Sequence, residues 1–219
     1  LTEVNVIGTI NMLELAHRFH MRRVVFISSA AVYGNPNTEI ITEQTLTSPL
    51  NFYAASKLSA EKYVKVYNLK HGIETVILRY HNVYGPRNVS HRGAITNFVN
   101  RALRDESIKI EGNGSYRYNS IYIKDIVEVT YRASQVERAN GEIINIGGPE
   151  TVTLLDIIKQ VKHALPESRS EVIFSESRSN WGDAHICDTS YMAEILGFSP
   201  TQTLENTLSP TIQWYQSEI

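Results

Sequence analysis

RVVFISS at residues 23–29 and ETVILRY at residues 74–80 decide the fold. Each is a short, continuous run rich in β-branched and aromatic side chains. That is the pattern of a strand covered on both faces, as in a parallel sheet. Between them, residues 51–70 carry apolar side chains at helical spacing, and His71-Gly72 supplies a stop. Residues 34–49 are polar and turn-rich and read as a loop. Strand, helix, strand at these lengths makes a βαβ unit, for which a right-handed crossover is expected.

Working outward, residues 3–20 read as a helix, with Val6, Ile10, Leu13 and Ala16 at three- and four-residue steps. Gly85-Pro86-Arg87 breaks the pattern. Beyond it the spacing predicts a helix over 94–104, a strand over 108–110 and a turn at Asn113-Gly114. A strand over 121–123, a helix over 125–136 and a strand over 142–146 follow, closed by Gly147-Gly148-Pro149. Thr153 stands three residues before Asp156, a capping-box start for a helix over 153–165. A strand over 172–174 and a helix over 190–196 ending at Gly197 come next. Thr203 caps a last helix reaching about residue 216, with Leu204, Leu208, Ile212 and Tyr215 at helical spacing and read, like Trp214, as core.

Composition narrows the function. The chain has 219 residues, a formal net charge of -2 and a pI near 6.4. Lysine and arginine are scattered rather than clustered, so no nucleic-acid partner is expected. No apolar stretch approaches the roughly 20 residues of a membrane span. The opening LTEVNVIGT lacks the basic start and apolar run of a signal peptide. Leu1 already falls in a helical turn, which suggests a longer polypeptide. The single cysteine, Cys187, rules out an internal disulfide and points to a reducing, cytoplasmic compartment. The histidines show no metal-ligand spacing, and no metal is expected.

The sharpest chemical signal is Tyr53-Ala54-Ala55-Ser56-Lys57. Tyrosine and lysine four apart on a helix share a face. A free tyrosine, with a pKa of about 10, is a poor base near neutrality. A neighbouring ammonium favours the phenolate and lowers that value. Such a pair can take a proton from an alcohol while hydride leaves its carbon. The first strand ends in Ser28-Ser29, and a hydroxyl at the C-terminal end of a parallel strand lies where such sheets bind ligands.

SSAAVYG, YAASK and LRYHNVYGPR, in this order and spacing, resemble the extended short-chain dehydrogenases/reductases of the nucleotide-sugar epimerase/dehydratase kind. Upstream, the NVIGTINMLE segment is similar to that family's NxxGTxNxLE helix. Downstream, IKIEGNGSYRYNSIYIKDIV and INIGG also match its pattern. The resemblance implies an α/β chain with a partial Rossmann-type, doubly wound parallel sheet. Residues 1–86 would be the C-terminal part of the dinucleotide-binding domain. Residues 87–219 would be mainly a smaller α/β substrate-binding region, with about 120–147 returning to the first domain.

It also implies roles. Ser29, Tyr53 and Lys57 match the catalytic set: the serine on the reacting sugar hydroxyl, the base, and the lysine that holds the nicotinamide ribose and tunes the tyrosine. Asn5 matches the asparagine that supports that lysine through water. Ser28, Tyr80 and His81 fall on the cofactor side. Asn82 matches the asparagine that binds the substrate diphosphate. The implied cofactor is NAD, with NADP not excluded, and the implied substrate is a nucleotide sugar. A homodimer through the helices at 3–20 and 51–70 is the expected assembly.

The family's dehydratases carry an Asp-Glu pair after the serine. Here Ala30 and Ala31 occupy those positions, and alanine has no proton to move. A 4-epimerase is therefore the expected activity: Tyr53 removes a hydroxyl proton as hydride passes to NAD, the keto-sugar turns over, and hydride returns to its other face. A keto-sugar reductase of the same fold, or a non-catalytic dimerising homologue, are the alternatives. Two departures stand out. No GxxGxxG loop for a pyrophosphate is present, leaving an expected sheet edge and apolar face uncovered. The family's Arg-Asp after its GDG turn reads Tyr118-Asn119, and its later RxGD reads Asn180-Trp181-Gly182-Asp183. Arg117 and Arg178, close by in sequence, are the candidates for the diphosphate.

Overall fold

A computed structural model describes residues 1–88, 93–176 and 186–218. A π-helical turn, Glu3–Ile7, opens the chain and continues as α1 (Gly8–Arg18). Then come β1 (Arg23–Ser29), a 3-10 turn (Ala30–Tyr33), β2 (Ile40–Ile41), α2 (Phe52–His71), β3 (Glu74–Tyr80) and β4 (Asn82–Tyr84). The chain goes on through α3 (Ala94–Leu103), β5 (Ile108–Glu111), β6 (Arg117–Tyr122), α4 (Ile123–Gln135) and β7 (Ile143–Ile146). It ends with β8 (Thr151–Thr153), α5 (Leu154–Ala164), β9 (Val172–Ser175), β10 (Ile186–Cys187), α6 (Ser190–Leu196) and α7 (Leu204–Ser217).

The chain folds as two units. The first comprises Leu1–His81, Ile126–Gly147 and Cys187–Ser199. Its centre is a parallel sheet in the order β1-β3-β7. Phe26 and Ile77 lie side by side in that sheet and pack with Leu13 and Ala16 of α1 and Ala60, Val64 and Tyr67 of α2. Burying an aliphatic or aromatic side chain of this size stabilises by about 1.5–3 kcal/mol, so this layer fixes the two helices to the sheet. Beside β1, an edge strand of this sheet, Met12, Leu15, Phe19 and Met21 remain exposed and line an apolar groove with Val24.

The second unit comprises Asn82–Asp125, Gly148–Ile186 and Pro200–Ile219. It holds a sheet in the order β4-β6-β8 and a β5-β9 pair. Its core is built from Ile95, Phe98 and Val99 of α3, Ile157 and Val161 of α5, and Leu208, Ile212 and Tyr215 of α7, with Trp214 packed against it. The capping box of α5 forms as its spacing predicts, with Thr153 Oγ accepting from Asp156 N and Asp156 accepting from Thr153 N.

β1 and β3 occupy 23–29 and 74–80 as read, and α2 begins at Phe52 behind the Asn51 cap. Elsewhere the structure departs from the reading. The strand read at 121–123 spans Arg117–Tyr122, because it pairs with β4 on one side and β8 on the other. Neither β4 nor β8 is long enough to show a period. The loop at 34–49 contains β2, which pairs with β10. No helix among the described residues is long and apolar enough to cross a membrane, and no group of three potential metal ligands occurs among them.

Candidate active site at the end of the parallel sheet

β1 delivers Ser29 to the C-terminal edge of the sheet. There its Oγ caps the following 3-10 turn, accepting from Ala31 N at 3.2 Å. Gly34 closes that turn at φ 68°, and an added Cβ would stand 1.9 Å from Ser48 O. Only glycine lets the loop fold back this closely.

α2 starts at the same edge. Asn51 Oδ1 accepts from Ala54 N at 2.9 Å, satisfying one of the helix's free amides. Tyr53 stands in the first turn and stays 40% exposed. Lys57, one turn on, donates from Nζ to Ile27 O of β1 at 2.8 Å and lies 5.2 Å from the Phe26 ring centre. Burial lowers the pKa of its ammonium. An ammonium has three donors, and one is given to Ile27.

Asn5 reaches this helix through a residue that the motif reading leaves out. Its Nδ2 donates to Ser56 Oγ at 2.9 Å, and Ser56 Oγ donates to Tyr53 O at 2.7 Å. Asn5 therefore steadies the turn between Tyr53 and Lys57. Among the described residues no hydrogen bond joins Ser29, Tyr53 and Lys57 to one another. The Lys57–Ile27 hydrogen bond ties α2 to β1, the strand that ends in Ser29.

Beneath the site runs a buried polar network, also outside the motif reading. Ser28 Oγ donates to Glu61 Oε1 at 2.5 Å, and Arg79 grips the same carboxylate with Nε at 3.0 Å and Nη2 at 2.7 Å. Arg79 Nη1 donates to the Tyr33 hydroxyl at 2.9 Å, which donates to Asn145 Oδ1 at 2.6 Å. Burial pushes the Tyr33 hydroxyl above its usual range. Burial also works against the Arg79 charge, but the hydrogen bonds and charge of Glu61 outweigh it and raise its pKa. Ser28, expected on the cofactor side, spends its hydroxyl here.

The remaining expected residues are dispersed. Tyr80 ends β3, and its hydroxyl bonds Thr130 Oγ1 of α4. His81 follows, its N–H donating to Ile146 O at 2.9 Å. In the second unit, Asn82 is exposed at the start of β4, and exposed Arg117 starts β6 opposite Thr153. Asn119 is committed to a turn: it donates to Gly148 O and Glu150 O and accepts from Gly148 N. Arg178 and the 180–183 segment lie outside the described residues.

Residues 1–147 match the family described as NAD dependent epimerase/dehydratase. UDP-glucuronic acid decarboxylase 6 of Arabidopsis thaliana is 32% identical over 94% of this chain, which spans 61% of that relative's length. The UDP-glucose 4-epimerase of Thermotoga maritima, solved with UDP-glucose, superposes with a TM-score of 0.91 at 28% identity over 99% of this chain and 71% of its own. The UDP-glucuronic acid 4-epimerase of Bacillus cereus, solved with UDP-glucuronic acid and NAD, gives 0.90 at 30% identity over 98% and 68%.

Proposed function

The chain belongs to the NAD dependent epimerase/dehydratase family, and on that premise we propose that it carries the catalytic set of a nucleotide-sugar 4-epimerase. The supporting observation is local. Tyr53 is exposed one helical turn from a half-buried Lys57, beside the strand that ends in Ser29, while Ala30 and Ala31 stand where a dehydratase needs an acid and a base.

The donor set fits the nicotinamide-ribose end of NAD, since the Lys57 ammonium can donate to a diol. The pyrophosphate end has no glycine-rich loop in this sequence to receive it. NAD, its ribose held by Lys57, would supply a reversible hydride acceptor at this site. Tyr53 takes the sugar hydroxyl proton and gives it back at the end. Lys57 places its positive charge one turn from Tyr53 on the same side of the helix. Ser29 donates to the reacting oxygen and holds it toward Tyr53. Alanines at 30 and 31 leave no group to expel water from the keto-sugar, so the sugar turns over instead.

The first unit would hold the dinucleotide and the second, with Asn82 and Arg117, the nucleotide-sugar diphosphate. Arg178 belongs to the same proposal by its sequence position. Ser28 and Tyr80 then act behind the cofactor, through Glu61 and Thr130, rather than on it. The proposed assembly is a homodimer through α1 and α2, in a reducing cytoplasm that suits the single cysteine.

The test is to incubate the full-length natural protein with UDP-glucose and NAD at a small fraction of the sugar concentration. Formation of the 4-epimer without accumulating NADH supports the reading. NADH formed in step with sugar oxidation would assign the protein to the dehydrogenases.

A further inference from the structure

The Glu61–Arg79 pair takes no part in the chemistry above, yet it is among the most buried charged groups of the described residues, at 1% and 4% exposure. Ion pairs of this kind bring little net stability, because desolvation offsets their attraction, and an apolar pair of equal volume serves as well. The adjoining row of the same sheet face is built that way, from Phe26, Ile77 and Ile143 side by side. Apolar contact is non-directional and tolerates sliding and rotation. A two-point arginine–carboxylate grip does not.

The placement of the pair is specific. Ser28, Arg79 and Asn145 are neighbours in one row across β1, β3 and β7. The next row toward the strand ends is Ser29, Tyr80 and Ile146. Glu61 lies one turn after Lys57 and two after Tyr53, on the same side of α2. The third arm of Arg79 holds Tyr33, the last residue of the 3-10 turn that Ser29 caps. The guanidinium thus links the helix bearing Tyr53 and Lys57 to the turn behind Ser29, and the Glu61 carboxylate joins the strand bearing Ser29 through Ser28.

We propose that Glu61 and Arg79 are positioning residues: their buried grip fixes the rotation and depth of α2 on the sheet and so sets Tyr53 and Lys57 at working distance from Ser29. The proposal rests on the assignment of Tyr53 as the base. The charged and titratable groups that act on the pair are Tyr33 on the 3-10 turn and Glu43 in the loop that touches β7, and Lys57 stands one turn before Glu61 on α2.

The test is steady-state kinetics of the full-length protein with UDP-glucose and NAD. Glu61→Gln keeps the shape of the side chain and removes its charge. It is expected to lower kcat about tenfold to a hundredfold, the cost of roughly an ångström of misplacement, with KM changed less than about twofold and a cooperative melt retained. Glu61→Asp, which keeps the charge on a shorter stem, is expected to recover part of that loss. Tyr33→Phe leaves the ring against the guanidinium but removes the hydroxyl that accepts from Arg79 and donates to Asn145, and a smaller fall in kcat is expected. A folded Glu61→Gln enzyme with wild-type kcat overturns the proposal. If that variant does not fold, wild-type kcat in Tyr33→Phe overturns it. Tyr53→Phe separates the two claims. If it is inactive while the Glu61 and Tyr33 variants are normal, only the positioning role fails. If it turns over normally, the assignment of the base fails and the positioning role with it.

Discussion

Tyr53, Lys57 and Ser29 are legible in the sequence because their chemistry is local. A tyrosine and a lysine one turn apart share a helix face and supply the proposed proton-transfer pair, and a serine at a strand end is the proposed partner of the reacting oxygen. Glu61 and Arg79 are legible only in part. A carboxylate on the buried side of a helix and an arginine inside ETVILRY each signal a hidden partner, but the spacing of 18 residues does not say that they meet. The same limit applies to Glu43, which reads as a loop residue and proves to accept from Asn145 N at 2.7 Å. Burial, the largest influence, raises its carboxyl above the ordinary value. A carboxyl whose folded pKa exceeds its unfolded one costs stability when charged and loses that cost as pH falls through the folded value. Glu43→Gln removes the titration but keeps an acceptor. Wild type is therefore expected to gain stability relative to Glu43→Gln between pH 7 and about pH 4.3, the ordinary glutamate value. Thermal melts at the two pH values check the sign, and a relative loss at the lower pH contradicts it.

At the scale of elements, long patterns carry and short ones do not. β1, α2 and β3 have enough residues to show a period and a stop signal. β4 and β8 have three each, and their existence depends on β6 lying between them. The π-helical opening at Glu3–Ile7 is invisible to spacing, since the reading assumes one helical period throughout. Caps are the exception among short signals, because their chemistry is contained in four residues. Thr153→Ala removes the side-chain half of the α5 capping box, leaving the Asp156 bond to the backbone N–H of residue 153, and is expected to cost about 1 kcal/mol. Urea denaturation measures it as a lower midpoint with an unchanged slope. An unchanged midpoint would mean that packing against α3 and α7 alone holds this helix end.

For the whole molecule, the informative feature is a surface: β1 stands at the edge of its sheet with exposed apolar side chains beside it. Exposed apolar stripes of this kind mark surfaces that another chain or segment covers. On α2, Phe52, Tyr63 and Val66 are exposed and share one stripe at helical spacing. If α1 and α2 form the proposed dimer face, Tyr63→Lys combined with Val66→Lys is expected to halve the mass seen by sedimentation at micromolar concentration while circular dichroism is unchanged. An unaltered dimer in the double variant would place the interface elsewhere.

The central claim is that Tyr53 is the acid–base group of a hydride-transfer site. It is tested most directly by Tyr53→Phe in the full-length protein, with epimerisation of UDP-glucose and calorimetric binding of NAD followed on the same material. Turnover is expected to fall about 10²- to 10⁴-fold, the usual contribution of a positioned acid or base, with NAD affinity and melting temperature close to wild type. Turnover within a few-fold of wild type, with the same affinity and melting temperature, would contradict it.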